Sequence, residues 1–174
     1  VNHDSAENLY GIAAEFAALT GTETLLDLFC GAGTIGLSMA RRCKKLIGVE
    51  IVPQAVENAK KNAARSGIAN AEFFCADAGE AASRLAEQGI RPDVVVLDPP
   101  RKGCDQQVID AVVSMSPSRV VMVSCNPATM ARDCKEFQRQ GYFVQRVKGV
   151  DMFPRTGHVE TILLLSKEEM NSTK

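Results

Sequence analysis

Residues 24–43 read TLLDLFCGAGTIGLSMARRC, and this stretch decides the fold. Its apolar run over 24–29 predicts a buried parallel strand, and the pattern over 34–43 predicts an amphipathic helix. Gly31 and Gly33 lie between the two elements, where glycine lets the backbone approach a nucleotide-like ligand closely. The stretch therefore predicts the first strand–loop–helix unit of an open α/β sheet, with a ligand at the carboxyl end of its strand.

The same alternation of a short apolar strand and an amphipathic helix recurs after this unit, and a predicted helix over 5–19 precedes it. Such alternation requires a parallel, doubly wound sheet with right-handed crossovers. The predicted pairs are 24–29 with 34–43, 45–50 with 53–66, 71–75 with 78–88, 93–97 with 105–115, and 119–124 with 128–140.

The last two predicted strands, 142–150 and 158–166, have no helix between them. We expect them to pair as an antiparallel hairpin at the sheet edge. Seven strands that end in such a pair outline a Rossmann-like class I methyltransferase fold rather than a dinucleotide dehydrogenase. The 174 residues are therefore predicted to form one seven-stranded, mostly parallel α/β domain.

Composition places the chain among ordinary globular proteins, with 45% hydrophobic and 24% charged residues. A net charge of −1 and a pI near 6.2 give no global argument for nucleic acid, so any such contact needs a local basic patch. No apolar run is long enough to cross a bilayer. We expect a cytoplasmic protein, a monomer that binds no membrane.

Six cysteines occur at irregular spacing without a CxxC pair, which is typical of reduced thiols in a cytosolic protein. None has a partner at metal-ligand spacing, so no metal site is predicted. Five of them are expected to be structural, namely Cys30, Cys43, Cys75, Cys104 and Cys134.

Cys125 is the exception, because it ends the apolar run of VMVSCNP over 121–127. Asn126 suits the N-cap of the following helix and Pro127 its first position. The thiol would then lie beside a helix N-terminus, whose partial positive charge favours thiolate. This position is typical of a nucleophile, and the alternative is a small buried residue at a strand end.

The glycine loop allows two kinds of cofactor. Gly31, Gly33 and Gly36 followed by Glu50 satisfy the dinucleotide fingerprint, in which the acid bonds the ribose hydroxyls. The same geometry serves S-adenosylmethionine, and Asp27 before the loop would suit the ammonium group of that ligand. Gly36 is more simply explained by tight packing of helix against strand.

Asp77 follows the third predicted strand and has two interpretations. An acid at this position bonds an adenine amino group in adenosyl cofactor sites, but an Asp before a helix is equally a plain N-cap. The sequence leaves both open.

The fourth predicted strand ends in Asp98-Pro99-Pro100-Arg101-Lys102-Gly103. Two prolines stiffen the exit from the strand, so that carbonyls and the Asp98 carboxylate form an acceptor wall suited to a planar base. Amino-methylating enzymes have an aromatic residue after a related turn, and Arg101 in its place indicates a different target atom. Arg101 and Lys102 either hold phosphate or form a solvated basic loop.

Glu160 enters an otherwise apolar strand, and a carboxylate there is costly unless it has a task or a partner. It is therefore a candidate general base. In the preceding turn, Phe153 is interpreted as a packing anchor, and His158 as a residue that orients the turn or donates to Glu160.

Five motifs are distributed across nearly all of the chain, in the order DLFCGAGTIGL, GVE, LDPPRKG, SCNP and FPRTGHVE. Together they resemble the catalytic domain of bacterial RNA (uracil-5-)-methyltransferases, with SCNP and the distal HVE as the most diagnostic part. The resemblance implies that Cys125 is the nucleophile and Glu160 the base.

The resemblance also implies that Phe29, Glu50 and Asp98 contact S-adenosylmethionine, with Thr34 in place of an asparagine found in some members. The family's N-terminal RNA-binding domain, central domain and iron–sulfur cysteines are absent, so we expect an excised catalytic domain. Asp98, Pro99 and Arg101 are the expected substrate contacts.

The expected activity is methylation of C5 of a uridine in RNA through a covalent Cys–C6 adduct, with 23S ribosomal RNA as the first candidate substrate and transfer RNA as the alternative. An RNA cytosine-5 methyltransferase lacks a counterpart of the HVE acid, and a dehydrogenase leaves SCNP and DPPR unexplained. A non-catalytic module that binds cofactor or RNA is the remaining alternative.

Overall fold

The computed structural model describes residues 3–153 and 158–167, apart from the side chains of Phe153 and His158. The interpretations of those two side chains lie outside the described residues. The elements, in chain order, are α1 (His3–Ala17), β1 (Thr24–Leu28), α2 (Thr34–Met39), β2 (Lys45–Glu50), α3 (Pro53–Arg65), β3 (Ala71–Cys75), α4 (Ala78–Glu87), β4 (Val94–Leu97), α5 (Gln106–Met115), β5 (Arg119–Ser124), α6 (Pro127–Arg139), β6 (Phe143–Phe153) and β7 (His158–Ser166).

The seven strands form one sheet in the order β3-β2-β1-β4-β5-β7-β6. Strands β1 to β5 are parallel, and β7 runs antiparallel to both β5 and β6. The predicted antiparallel hairpin is confirmed. β7 is an interior strand of the sheet and β6 forms its edge. Because β7 runs antiparallel to β5, the start of β7 lies at the same end of the sheet as the last residue of β5.

Helices cover both faces of the sheet, which explains why the central strands are apolar without alternation. Leu25 and Val96 face the core cluster under α1, α2 and α3. Leu26 and Val95 face the second cluster, under α4, α5 and α6. All four residues of β4 are buried.

The helix predicted over 34–43 is shorter in the structure. Helix α2 ends at Met39 and continues as a 3-10 turn over Ala40–Arg42. The Asn70 side chain donates to the carbonyls of Ala40 and Cys43 at 2.8 and 3.0 Å, which satisfies these groups without a further α-helical turn. Among the described residues, no helix is long and apolar enough to span a membrane.

Candidate active site

The order of the sheet reverses direction between β1 and β4, and ligands of open α/β sheets bind at such a point. The loop after β1 has three residues in left-handed backbone, with φ of 64° at Phe29, 55° at Gly31 and 84° at Gly33. The Gly33 amide donates to the Cys30 carbonyl at 2.8 Å and closes the turn. Glycine is needed at 31 and 33 because other residues adopt this backbone only at a cost.

Glu50 ends β2 and shapes this loop. Its Oε2 accepts from the Gly31 amide at 2.9 Å, and its Oε1 accepts from the Val52 amide at 3.0 Å. One carboxylate therefore ties the loops after β1 and β2 together at the carboxyl edge, and it remains half-exposed to the cleft.

Asp27 is less accessible than the other acids near the glycine loop. Its side chain is buried, with 1% exposure, and the expected contact with a ligand's ammonium group stays a prediction. Oδ2 accepts from the Gly36 amide at 3.1 Å, while Oδ1 has no hydrogen-bond partner among the described residues. Burial, reinforced by the charges of Asp98 and Glu50, raises the pKa of Asp27 to about 8.

Gly36 is confirmed as a packing residue. A Cβ there would lie 2.8 Å from Asp27 Oδ2 and 3.0 Å from the side chain of Leu46. Helix α2 can approach β1 and β2 this closely only without a side chain at position 36.

A cleft of about 390 Å³ opens beside the glycine loop. Four of the residues predicted to bind a cofactor line it: Phe29, Glu50, Asp77 and Asp98. Sequence reasoning missed Ile51, which also lines the cleft and is 60% exposed. Its signal was an apolar residue placed directly after the strand-end acid.

The rest of the lining comes from the strand ends and from the segments that follow them, namely Val49, Ala76, Ala78, Pro100, Lys102, Gly103 and Asp105. Carboxylates that can accept from hydroxyl and amino groups, together with apolar walls, suit an adenosyl group. The residues present therefore fit S-adenosylmethionine, and a contact of Glu50 with its ribose stays a prediction. Gly31, Gly33 and Thr34 lie outside this lining, with Thr34 exposed as the first residue of α2.

Asp77 is the N-cap of α4. Its Oδ1 accepts from the Gly79 and Glu80 amides at 2.9 and 3.1 Å. The capping interpretation is therefore confirmed. The residue also lines the cleft, so a contact with adenine remains a prediction.

Cys125 is exposed and lies between the last residue of β5 and the N-cap of α6. The predicted cap is confirmed, because Asn126 Oδ1 accepts from the Ala128 and Thr129 amides at 3.1 and 3.5 Å, with Pro127 at the start of the helix. The thiol is thus presented to solvent at the amino end of a helix, at the carboxyl edge of the sheet.

Glu160 reaches the same edge from the other direction. Ser124 of β5 pairs with Thr161 of β7, and extending this antiparallel register by one residue sets Glu160 level with Cys125. Glu160 is half-buried, and burial raises its pKa. Burial and then the charge of Glu160 raise the pKa of Asp98 to about 7. Cys125, Glu160 and Asp98 therefore lie at one end of three neighbouring strands.

The turn after β4 is hydrogen-bonded to the start of α6, the helix that follows Cys125. The Arg101 carbonyl accepts from Asn126 Nδ2 and from Thr129 Oγ1, each at 3.1 Å. The Arg101 side chain is exposed, and Pro99 is half-buried outside the cleft lining. Lys102 pairs with Asp105 at 3.3 Å.

The other cysteines are free thiols, and four of them are buried as expected of structural residues. Burial raises the pKa of all four, that of Cys30 to about 12; the other three are Cys43, Cys104 and Cys134. Cys75 is exposed, and its Sγ contacts the Ile51 carbonyl at 3.6 Å. The described residues contain no cluster of His, Cys, Asp and Glu suited to a metal ion.

The sheet order and the site at its carboxyl edge define a class I methyltransferase fold. The solved structure of the Pyrococcus abyssi tRNA (uracil-54, C5)-methyltransferase, in complex with S-adenosyl-L-homocysteine, superimposes with a TM-score of 0.79 and 33% identity, over 92% of this chain and 38% of that one. Precorrin-6y C5,15-methyltransferase from Geobacter metallireducens, 17% identical with a TM-score of 0.78, shares the fold.

Residues 2–168 match the family model described as tRNA (Uracil-5-)-methyltransferase, and the chain belongs to this family. A protein named an uncharacterized RNA methyltransferase from Clostridium acetobutylicum is 48% identical over 167 residues, or 96% of this chain. A protein of the same description from Bacillus cereus is 47% identical over 169 residues. The chain spans 36% and 37% of the lengths of these two relatives.

Proposed function

We propose that this chain is the catalytic domain of an RNA methyltransferase that transfers a methyl group from S-adenosylmethionine to C5 of a uridine. The observation that carries the proposal is the convergence of the exposed Cys125 with Glu160 at one end of β5 and β7, beside a cleft lined by Asp98. A thiol and a half-buried carboxylate beside a cofactor cleft suit addition to a pyrimidine followed by proton removal.

Two residues of this chain act on the uracil, Cys125 in the first step and Glu160 in the last. The Cys125 thiolate adds to C6 of the uracil, and the electrons of the C5–C6 double bond shift toward the O4 carbonyl. When bound, S-adenosylmethionine would supply an electrophilic methyl carbon on a sulfonium. C5 attacks this carbon, so that the C5–methyl bond forms as the carbon–sulfur bond breaks and leaves a neutral thioether. C5 then carries both the new methyl group and its original proton.

Glu160 completes the reaction. Its carboxylate removes the C5 proton, the C5–C6 double bond re-forms, and the Cys125 sulfur leaves as thiolate. The raised pKa of Glu160 makes it a stronger base than an exposed carboxylate. Asp98 and the stiff turn that follows it orient the uracil, which has to leave its stack to reach the thiol.

The test uses the full-length gene product, S-adenosylmethionine and radiolabelled RNA. Glu160→Gln is expected to accumulate a protein–RNA adduct that survives denaturing electrophoresis, because proton removal from C5 fails. Adding Cys125→Ser should abolish the adduct. Cys75→Ser is the matched control, since Cys75 is the second exposed thiol, and it should leave the adduct in place.

An adduct that persists without Cys125 would contradict this assignment of the nucleophile. Absence of any adduct and of any methyl transfer in the wild-type protein would favour the alternative of a non-catalytic module that binds cofactor or RNA.

The sequence resemblance makes ribosomal RNA our first candidate substrate. Transfer RNA is the second candidate, and it is supported by the description of the matching family and by the name of the Pyrococcus abyssi enzyme. Mapping 5-methyluridine by mass spectrometry in ribosomal and transfer RNA from cells lacking the gene separates the two. Loss of the modification from only one RNA class identifies the substrate.

A further inference from the structure

The loop over 101–104, between β4 and α5, is held by a pair of adjacent residues in the second turn of α6. Asp133 has 1% exposure. Its Oδ2 accepts from the Cys104 amide at 2.7 Å. Its Oδ1 accepts from both Arg132 Nε and Arg132 Nη2, at 3.0 and 2.8 Å, so two nitrogens of the guanidinium share one carboxylate oxygen.

Arg132 extends this contact to the loop carbonyls. Its Nη2 donates to the Lys102 carbonyl at 2.8 Å and to the Cys104 carbonyl at 3.3 Å. The two side chains therefore bind one amide and two carbonyls of the same loop. The Arg132 side chain is 57% exposed, so it bridges Asp133 and the loop without being part of the core.

Gly103 fits between these groups. Its φ is +81°, and a Cβ there would lie 2.5 Å from Arg132 Nη2 and 2.6 Å from Asp133 Oδ2. The loop backbone at Gly103 therefore lies too close to Arg132 and Asp133 for a side chain to fit at position 103. The contact is a specific fit and not a loose salt bridge at the surface.

This loop forms part of the cofactor cleft, because Lys102 and Gly103 line it together with Asp98 and Pro100. The helix that carries the pair has its N-cap directly after Cys125. Asn126 and Thr129 add bonds from the start of the same helix to the Arg101 carbonyl. Helix α6 consequently fixes the wall of the cleft relative to the nucleophile.

We propose that Arg132 and Asp133 are positioning residues, which hold the 101–104 loop as the wall of the cofactor cleft while making no contact with the reacting atoms. The proposal rests on the proposed function in its choice of cofactor. It predicts that loosening the pair weakens cofactor binding first, since the loop, and not the thiol, loses its anchor.

The experiment measures binding of S-adenosylhomocysteine to the full-length gene product by calorimetry, together with the KM for S-adenosylmethionine. Arg132→Ala and Asp133→Asn are expected to raise the Kd about tenfold, which corresponds to about 1.4 kcal/mol. The KM should rise with the Kd while kcat changes less. Arg132→Lys should not restore binding, because an ammonium lacks the planar fork that bridges carboxylate and carbonyls.

Arg139→Ala is the matched control. It removes an exposed arginine from the same helix, one that pairs with Glu136 instead of the loop. It should leave the Kd unchanged. Because Arg132 is largely exposed, its alanine variant carries the test even when the change at the buried Asp133 prevents folding.

Equal Kd values for Arg132→Ala and Arg139→Ala would overturn the proposal, as would a loss of kcat with an unchanged Kd. A wild-type protein that fails to bind S-adenosylhomocysteine contradicts both the cofactor and the positioning role. Since ligand binding needs no uridine, a failed adduct experiment combined with weakened binding in Arg132→Ala refutes the proposed chemistry and leaves the positioning role standing.

Discussion

The Gly36 amide donates to Asp27 Oδ2 at 3.1 Å, and the same oxygen would lie 2.8 Å from a Cβ at position 36. A buried acid and a glycine thus fix the distance between β1 and α2. This contact lies directly beneath the loop that shapes the cofactor cleft, so it joins the stability of the domain to the geometry of its site.

Gly36→Ala is expected to lower the free energy of unfolding by about 1–3 kcal/mol, because the added methyl group displaces Asp27 or Leu46. Urea denaturation of the chain measures the change. Gly11→Ala is the control: it lies within α1, nothing among the described residues is within 4 Å of its Cβ, and it should stabilise by about 0.5–1 kcal/mol. Equal effects at the two sites would contradict the packing argument.

Asp27→Asn should reduce the loss of stability as pH rises from about 5 to about 8. The folded pKa of Asp27, about 8, lies above its unfolded value, so the folded state retains a proton that the unfolded state releases. The associated stability is fully present below the unfolded pKa and is lost as pH rises through the folded one, at no more than about 1.4 kcal/mol per pH unit. Asn keeps an acceptor for the Gly36 amide.

Thermal unfolding at several pH values measures how the stability of wild type and of Asp27→Asn depends on pH, and Glu23→Gln is the contrast. Burial opposes ionisation of Glu23, but bonds from Thr20 and Gly21 outweigh it and lower its pKa to about 2. Its contribution has the opposite sign, since it is present above the unfolded pKa and lost as pH falls through the folded one. Glu23→Gln should therefore change the stability below about pH 5. Between about pH 5 and about pH 8, the slope of stability against pH should stay as in wild type.

Glu160→Gln is expected to lower the pKa of Asp98 from about 7, because one of its two causes, the charge of Glu160, is removed while burial remains. Carbon-detected NMR titration of the Asp98 carboxyl measures the shift. Glu50→Gln is the control: the Glu50 charge acts on Asp27, and the Asp98 titration should stay unchanged. An unaltered Asp98 pKa in Glu160→Gln would show that the two carboxyls do not interact.

Alkylation with iodoacetamide should modify Cys125 and Cys75 first, because these two thiols are exposed and the other four are buried. Burial also raises the pKa of each buried thiol, which lowers its thiolate fraction. Peptide mass spectrometry of a time course gives the order. Labelling of Cys30 or Cys104 at the rate of Cys125 would contradict the burial that the structure assigns.

Most of the strands were predictable because they are short, largely apolar runs bounded by turn residues. The predicted ranges 45–50, 71–75, 119–124 and 158–166 agree with β2, β3, β5 and β7 to the residue. Helix ends were less predictable: α2 ends at Met39, and Asn70, about thirty residues away, donates to the carbonyls of Ala40 and Cys43 that follow it. A local pattern carries no information about a partner that only the fold brings near.

Predictions for the site also succeeded where they depended on local sequence and failed where they depended on packing. Strand-end position predicted that Glu50 and Asp98 would lie at one cleft, and the residues after Cys125 predicted a capped helix there. It did not predict that Asp27 is turned inward beneath the loop, because the residue lies within a strand whose two faces are both buried. The contacts of Asp133 with Cys104 were equally hidden, since they depend on how α6 packs beside the loop.

The antiparallel direction of β7 has a consequence for the order in which the machinery is assembled during synthesis. A parallel strand brings its last residue to the carboxyl edge, whereas β7 brings its first, and Glu160 is therefore in place only once β7 has paired beside β5. Under the proposed mechanism, a nascent chain acquires the Cys125 thiol, which would bind a uridine covalently, before it acquires the Glu160 carboxylate, which would allow the uridine to be released. Pairing of β7 beside β5 would then be the step that permits turnover.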